Sequence, residues 1–137
     1  MIDVSGKVLD GKIIYFRGFG RSDMNWGGVE LRTHETDALA VIPLIVQQRW
    51  QADPRSPVTI VNDRVDCCHY GGEVWINGTI ADREQLFNME IEIHRNLYKV
   101  YANGDLLWSF NKRAQTDNED ISIFFIWQLG LADLCIT

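Results

Sequence analysis

The chain has 137 residues, 46% of them hydrophobic and 23% charged, with a formal net charge of −6. That length and balance suit one globular domain, residues 1–137, with a single buried core. The acidic charge and scattered Lys and Arg exclude the basic face that meets nucleic-acid phosphates, and no apolar run approaches the roughly 20 residues that cross a bilayer.

The start, Met1-Ile2-Asp3-Val4-Ser5-Gly6, lacks the basic opening and apolar stretch of a signal peptide. The expected location is cytoplasmic, with any export by a route that needs no signal peptide. Ile2 to Val8 is an edge-strand candidate. From Lys12 to Gly18, Ile13, Tyr15 and Arg17 alternate with Ile14 and Phe16, the period of a strand with one wet face. Trp26, among Asn25, Gly27 and Gly28, is expected at a turn. Ala38 to Val46 is apolar on both faces. Pro54 and Pro57 bracket a loop in Gln51 to Ser56, and Asn77-Gly78-Thr79 fits a glycosylation sequon best read as an unused turn. Asp82 to Asn88 has room for one helical turn. Glu90 to His94 and Leu97 to Tyr101 alternate again. Asn103-Gly104 follows at once, a strong hairpin signal because both residues tolerate positive φ. Leu106 to Phe110 is the return strand, and Asn111 to Asp120 a polar connection. Ile121 to Trp127 and Leu131 to Ile136 read as two strands split by Gly130, the second an edge candidate. Many short strands and no amphipathic helix predict an all-β sandwich or barrel.

The chemistry-bearing residues are sparse. Cys67, Cys68 and Cys135 are an odd number without framework spacing, and read as free thiols. Cys67-Cys68-His69 lacks the second ligand pair of a zinc site, so no metal or other cofactor is expected. Glu90 and Glu92 share one strand face about 7 Å apart, like a carboxylate pair, but acidic alternation is the mark of a solvated face. No Ser-His-Asp or Cys-His arrangement has local context, so an enzyme is not expected.

Phe87 to Ile93, then Tyr98-Lys99-Val100-Tyr101-Ala102-Asn103-Gly104, then Trp108-Ser109-Phe110 and Arg113, resemble the second half of a galectin. Ile121, Ile123 and Ile126 resemble that family's penultimate strand. Gly11 to Gly18 resembles an early one, and Asp37-Ala38-Leu39 the lead-in to its sugar-binding strand. The resemblance implies a two-sheet antiparallel jelly-roll β-sandwich, concanavalin-A-like, with sugar bound on the concave sheet. The family's His-x-Asn-Pro-Arg strand matches Ala40-Val41-Ile42-Pro43-Leu44, where only the Pro remains. Its Val-x-Asn matches Ile60-Val61-Asn62, and its Trp-Gly-x-Glu-x-Arg matches Tyr70-Gly71-Gly72-Glu73-Val74-Trp75.

The implied carbohydrate-binding residues are therefore Asn62, Tyr70, Glu73 and Trp75. Tyr70 and Trp75 supply stacking surface, and Asn62 and Glu73 bond hydroxyls. Ala40, Ile42 and Leu44 make no side-chain hydrogen bond, and three lost charge-assisted or amide bonds are worth more than a weak lectin's whole affinity. The expected ligand is thus a glycan or glycoprotein bound otherwise than through a simple β-galactoside. The alternative is a protein-interaction or homodimer module that has lost sugar binding. With Ala40, Ile42 and Leu44 outward, and Leu39, Val41 and Ile45 toward the core, the concave face would be apolar and in need of cover. Gln47 to Ser56, with Arg49 and Trp50, is the first covering candidate, and Arg64 a candidate partner for Glu73.

Overall fold

The computed structural model describes residues 1–51, 54, 56–66, 68–114 and 117–137. Its strands are β1 (Ile2–Asp3), β2 (Ile13–Gly20), β3 (Trp26–Arg32), β4 (Ile42–Arg49), β5 (Val58–Arg64), β6 (Val74–Asn77), β7 (Leu86–Ile93), β8 (Leu97–Ala102), β9 (Asp105–Asn111), β10 (Ile123–Trp127) and β11 (Leu129–Ile136). Two 3-10 turns, Asp37–Leu39 and Asn118–Asp120, complete the described elements. No described helix is long and apolar enough to cross a membrane.

The strands form two antiparallel sheets, one ordered β1-β10-β3-β4-β5-β6 and the other β11-β2-β7-β8-β9. This is the expected two-sheet β-sandwich. The alternating residues explain why the sheets face each other. Ile14 and Phe16 of β2, Met89, Ile91 and Ile93 of β7, and Tyr98 and Val100 of β8 turn inward. They meet Val29 and Leu31 of β3, Leu44 and Val46 of β4, and Phe124 of β10 in one buried cluster. Burying a residue such as Ile91 or Phe16 contributes about 1.5–3 kcal/mol. The β8–β9 hairpin closes as its sequence predicts, with Asn103 at φ 51° and Gly104 at φ 89°. The Asn103 amide donates to the Ile80 carbonyl at 3.0 Å and its carbonyl oxygen accepts from Asn88 N–H at 3.0 Å, which fixes the turn to its neighbours. A single turn at Asp82 to Gln85 is closed by one backbone bond. Ile2–Asp3 and Leu129–Ile136 are edge strands, as expected.

Three local expectations are corrected. Gly130 does not split the last strands. It lies inside β11 opposite Phe19, and a Cβ there would stand 2.1 Å from that ring. The break falls at Gln128, whose φ of 53° swings the chain from one sheet to the other. Trp26 is not in a turn but opens β3, opposite Arg49. The third correction reverses the reading of β4. Ile42 pairs with Arg64 and Ile45 with Asn62, so three steps on β4 face two on β5. Such a bulge inverts the parity of everything beyond it. Leu44 therefore joins the core, while Ile45 turns outward with Gln47 and Arg49. Leu39 is exposed and Val41 half-buried, so neither is a core residue.

Candidate functional site

The outer face of the six-stranded sheet carries a groove of about 500 Å³. Cross-strand register builds it in rows. One row runs Trp127, Gly28, Gln47, Ile60 and Trp75; the next begins Phe125, Glu30, Ile45 and Asn62. Tyr70 closes one end through a bridge to Arg64, and Trp26 lies at the other end beside Arg49.

The end near β5 and β6 is tied by ions. Asp63 is buried, and the Arg113 guanidinium donates to both of its oxygens, at 3.0 and 3.1 Å. The same guanidinium donates to the Asn62 side-chain oxygen at 3.2 Å and to the Gly72 carbonyl at 3.0 Å. A residue after β9 thus pins both Asn62 and the segment that presents Tyr70 and Glu73. Gly71 is required there, since a Cβ would fall 2.1 Å from Asp63. Glu73 is held by Arg49 at 3.2 Å, and Arg49 also donates to Gln47 at 3.0 Å and lies over the Trp75 ring at 5.3 Å. Arg49, not Arg64, is therefore the partner of Glu73.

Arg64 is committed elsewhere. It donates to the Asp37 carboxylate at 3.1 and 3.2 Å and to the Ala40 carbonyl at 3.2 Å. Arg32 reaches the same carboxylate at 3.1 Å. The Arg64 hydrogen bond holds Asp37 below the usual carboxylate range. These bonds tie the 3-10 turn beside Ala40 and Ile42, which are fully buried and form a small cluster with Ile45. The expected apolar patch is thus closed by the chain itself. Of the Gln47 to Ser56 segment, Gln47 to Arg49 are strand, and the Trp50 indole is buried against Gly20 and donates to the Ala81 carbonyl at 2.8 Å, so these four do not form that cover; Ala52, Asp53 and Arg55 lie outside the described residues.

The end near β3 and β10 is aromatic. Trp26 meets Trp127 edge to face, with centroids 6.1 Å apart and planes at 80°. Phe125 lies under the Arg32 guanidinium at 3.9 Å. Arg32 also bonds the Glu30 carboxylate. Burial pushes Glu30 above the usual carboxylate range, against the pull of Arg32.

Of the residues expected from sequence, Asn62, Tyr70 and Glu73 line this groove together. Trp75 lies on the same face, outside the lining, as the surface beneath Arg49. The sequence reading missed Gln47, Arg49, Trp26, Phe125 and Trp127 as groove residues. Gln47 and Arg49 alternate with Ile45, a signal hidden by the bulge. The aromatic end has no motif and is assembled by the β10–β3–β4 register. The sequon at Asn77 ends a strand, with Gly78 at φ 93° in the turn. Cys68 and Cys135 are free and exposed; Cys67 lies outside the described residues. Among the described residues no group of three metal-ligating side chains converges.

No protein-family model and no curated protein sequence matches the chain. Solved structures do. Sheep galectin-11 in complex with glycerol superposes with a TM-score of 0.78 at 16% identity, covering 99% of this chain and 95% of its own. Galectin LEC-6 of Caenorhabditis elegans gives 0.81 at 14%, covering 99% and 88%. A doubly substituted human galectin-16 gives 0.77 at 17%, covering 99% and 92%. At these identities the likeness is one of fold: over nearly its whole length, this chain has the fold of the galectins.

Proposed function

We propose that the chain is a glycan-binding module whose ligand lies in the groove of the six-stranded sheet and is not a simple β-galactoside. One observation carries this reading. Tyr70 presents a ring that is 60% exposed at the groove's end, beside polar groups already held in place. An exposed aromatic next to oriented amide and carboxylate groups suits a sugar, which has one apolar face and a rim of hydroxyls. Tyr70 stacks. Asn62 and Glu73 meet hydroxyls, pre-oriented by Arg113 and Arg49, and Trp75 backs Arg49. Ala40 and Ile42, the sequence matches of the family's polar ligands, are apolar and sealed, and β4 presents Gln47 and Arg49 to the groove from beyond the bulge. Ile45 stands in the groove instead.

The test is a broad glycan screen of the reduced protein with lactose as competitor. Binding to a glycan class that lactose does not displace is expected, and Tyr70→Ala should weaken it at least tenfold, roughly 1.4 kcal/mol. Glu73→Ala should weaken it too. Lactose-competed binding to galactosides overturns the ligand assignment. A blank screen overturns the glycan reading and leaves a protein-interaction module.

A further inference from the structure

We propose that the β3–β10 end of the groove selects an apolar substituent, an N-acyl, O-methyl or deoxy group, on a neutral glycan. This rests on the glycan reading above and names the class of ligand. The observations lie at the opposite end from Tyr70. Trp26 is 41% exposed and stands edge-on against Trp127, so the two rings form a corner that opens to solvent. Gly28 makes the corner possible: a Cβ there would stand 3.0 Å from the Trp127 ring, so the indole lies on bare backbone. Phe125 and Ile45 extend the same apolar floor.

Charge decides what such a corner accepts. The groove lining contains two carboxylates and two guanidiniums, and each is matched. Glu30 is bonded by Arg32, which also grips Asp37, and Glu73 is bonded by Arg49. A carboxylate or sulfate on the ligand would have to displace a partner already in place, and would gain little from charges already neutralised. A free hydroxyl against Trp26, Trp127 and Phe125 would lose its water without a compensating bond. A methyl group, alone or at the end of an acetyl whose amide stays at the solvent edge, loses nothing there and removes apolar surface from water, worth roughly fourfold in affinity for each methyl or methylene sealed against the rings.

The experiment is a printed array of matched glycan pairs with equal ring number: N-acetylated against free hydroxyl, O-methylated against hydroxyl, 6-deoxy against 6-hydroxyl, and neutral against sialylated or sulfated. The wild type should favour the apolar member of at least one pair fourfold or more, and acidic members should bind no better than neutral ones. Trp26→Ala should erase the preference, lowering the apolar members of each pair to the level of their partners. Trp26→Phe, which keeps a ring and guards against misfolding, should retain part of it. Tyr70→Ala should weaken all members alike. Equal binding within every pair, tighter binding of the acidic members, or a preference that survives Trp26→Ala overturns this inference and leaves the glycan reading intact. No binding to any member overturns both.

Discussion

The outer faces of the two sheets treat charge in opposite ways. On the five-stranded sheet Arg17 and Asn88 stand in water, with Glu90 and Lys99 half-exposed. On the six-stranded sheet Arg32, Asn62 and Arg64 are nearly sealed, and Asp63 is sealed behind them on the inner side of β5. Taking such groups out of water is costly unless each finds a partner. Here Arg113, Asp37 and Glu30 supply them. A face that only needs solubility has no use for this construction. Under the proposed glycan reading, a face that holds Asn62, Tyr70 and Glu73 in one geometry before a ligand arrives gains from it, because the ordering is completed on folding, not on binding.

The comparison is broken most severely at Arg113. Arg113→Ala would leave the Asp63 carboxylate buried without its cation, and the expected loss is about 3 kcal/mol in urea unfolding, the lower end for a buried pair because Arg113 itself is partly exposed. The same variant should weaken glycan binding more than it alters the hairpin at Asn103. A loss below 1 kcal/mol would mean that the clamp contributes little. A smaller effect is expected at Asp37. Its folded pKa is lowered, so its contribution is present above the unfolded value of about 3.9 and is lost as pH falls through the lower folded value. Glu30, raised by burial, runs the other way: its contribution is present at low pH and fades as pH rises through its folded value. Asp37→Asn should therefore flatten the acid limb of the stability curve below about pH 4. Near neutrality it should cost about 1–3 kcal/mol, since Arg64 is buried and would keep only carbonyl oxygens as strong partners. An acid limb unchanged in slope would separate Asp37 from the two arginines. On the opposite sheet, Arg17→Gln is expected to change stability by no more than about 0.5 kcal/mol and glycan binding not at all. An effect on binding there would place a ligand on the wrong sheet.

The five-stranded sheet was legible because nothing interrupts its strands where the alternation is clearest. Ile14 and Phe16, Ile91 and Ile93, and the Asn103-Gly104 turn each mean locally what they mean in the fold. The six-stranded sheet was legible in part. Asn62, Tyr70 and Glu73 were placed by their resemblance to a family pattern, and they do converge. The facing of Leu44 and Ile45 was not legible, because one bulge near Pro43 reverses the parity on which the reading depended. The partner of Glu73 was missed for the same reason, since Arg49 gains the groove face only beyond that bulge.

From the amino-acid order alone follow the all-β class, the alternating strands of the five-stranded sheet and the tight hairpin. These depend on side-chain period and turn chemistry, which act over a few residues. Only the tertiary structure decided which arginine meets which carboxylate, that Ala40 and Ile42 are closed over by the chain itself, and that Trp26 and Trp127 share a corner. Most of these join residues distant in the chain, up to 101 positions apart for the two tryptophans. Such pairings are set by sheet register and by the cost of leaving a buried charge alone, and neither is written in any local stretch of sequence.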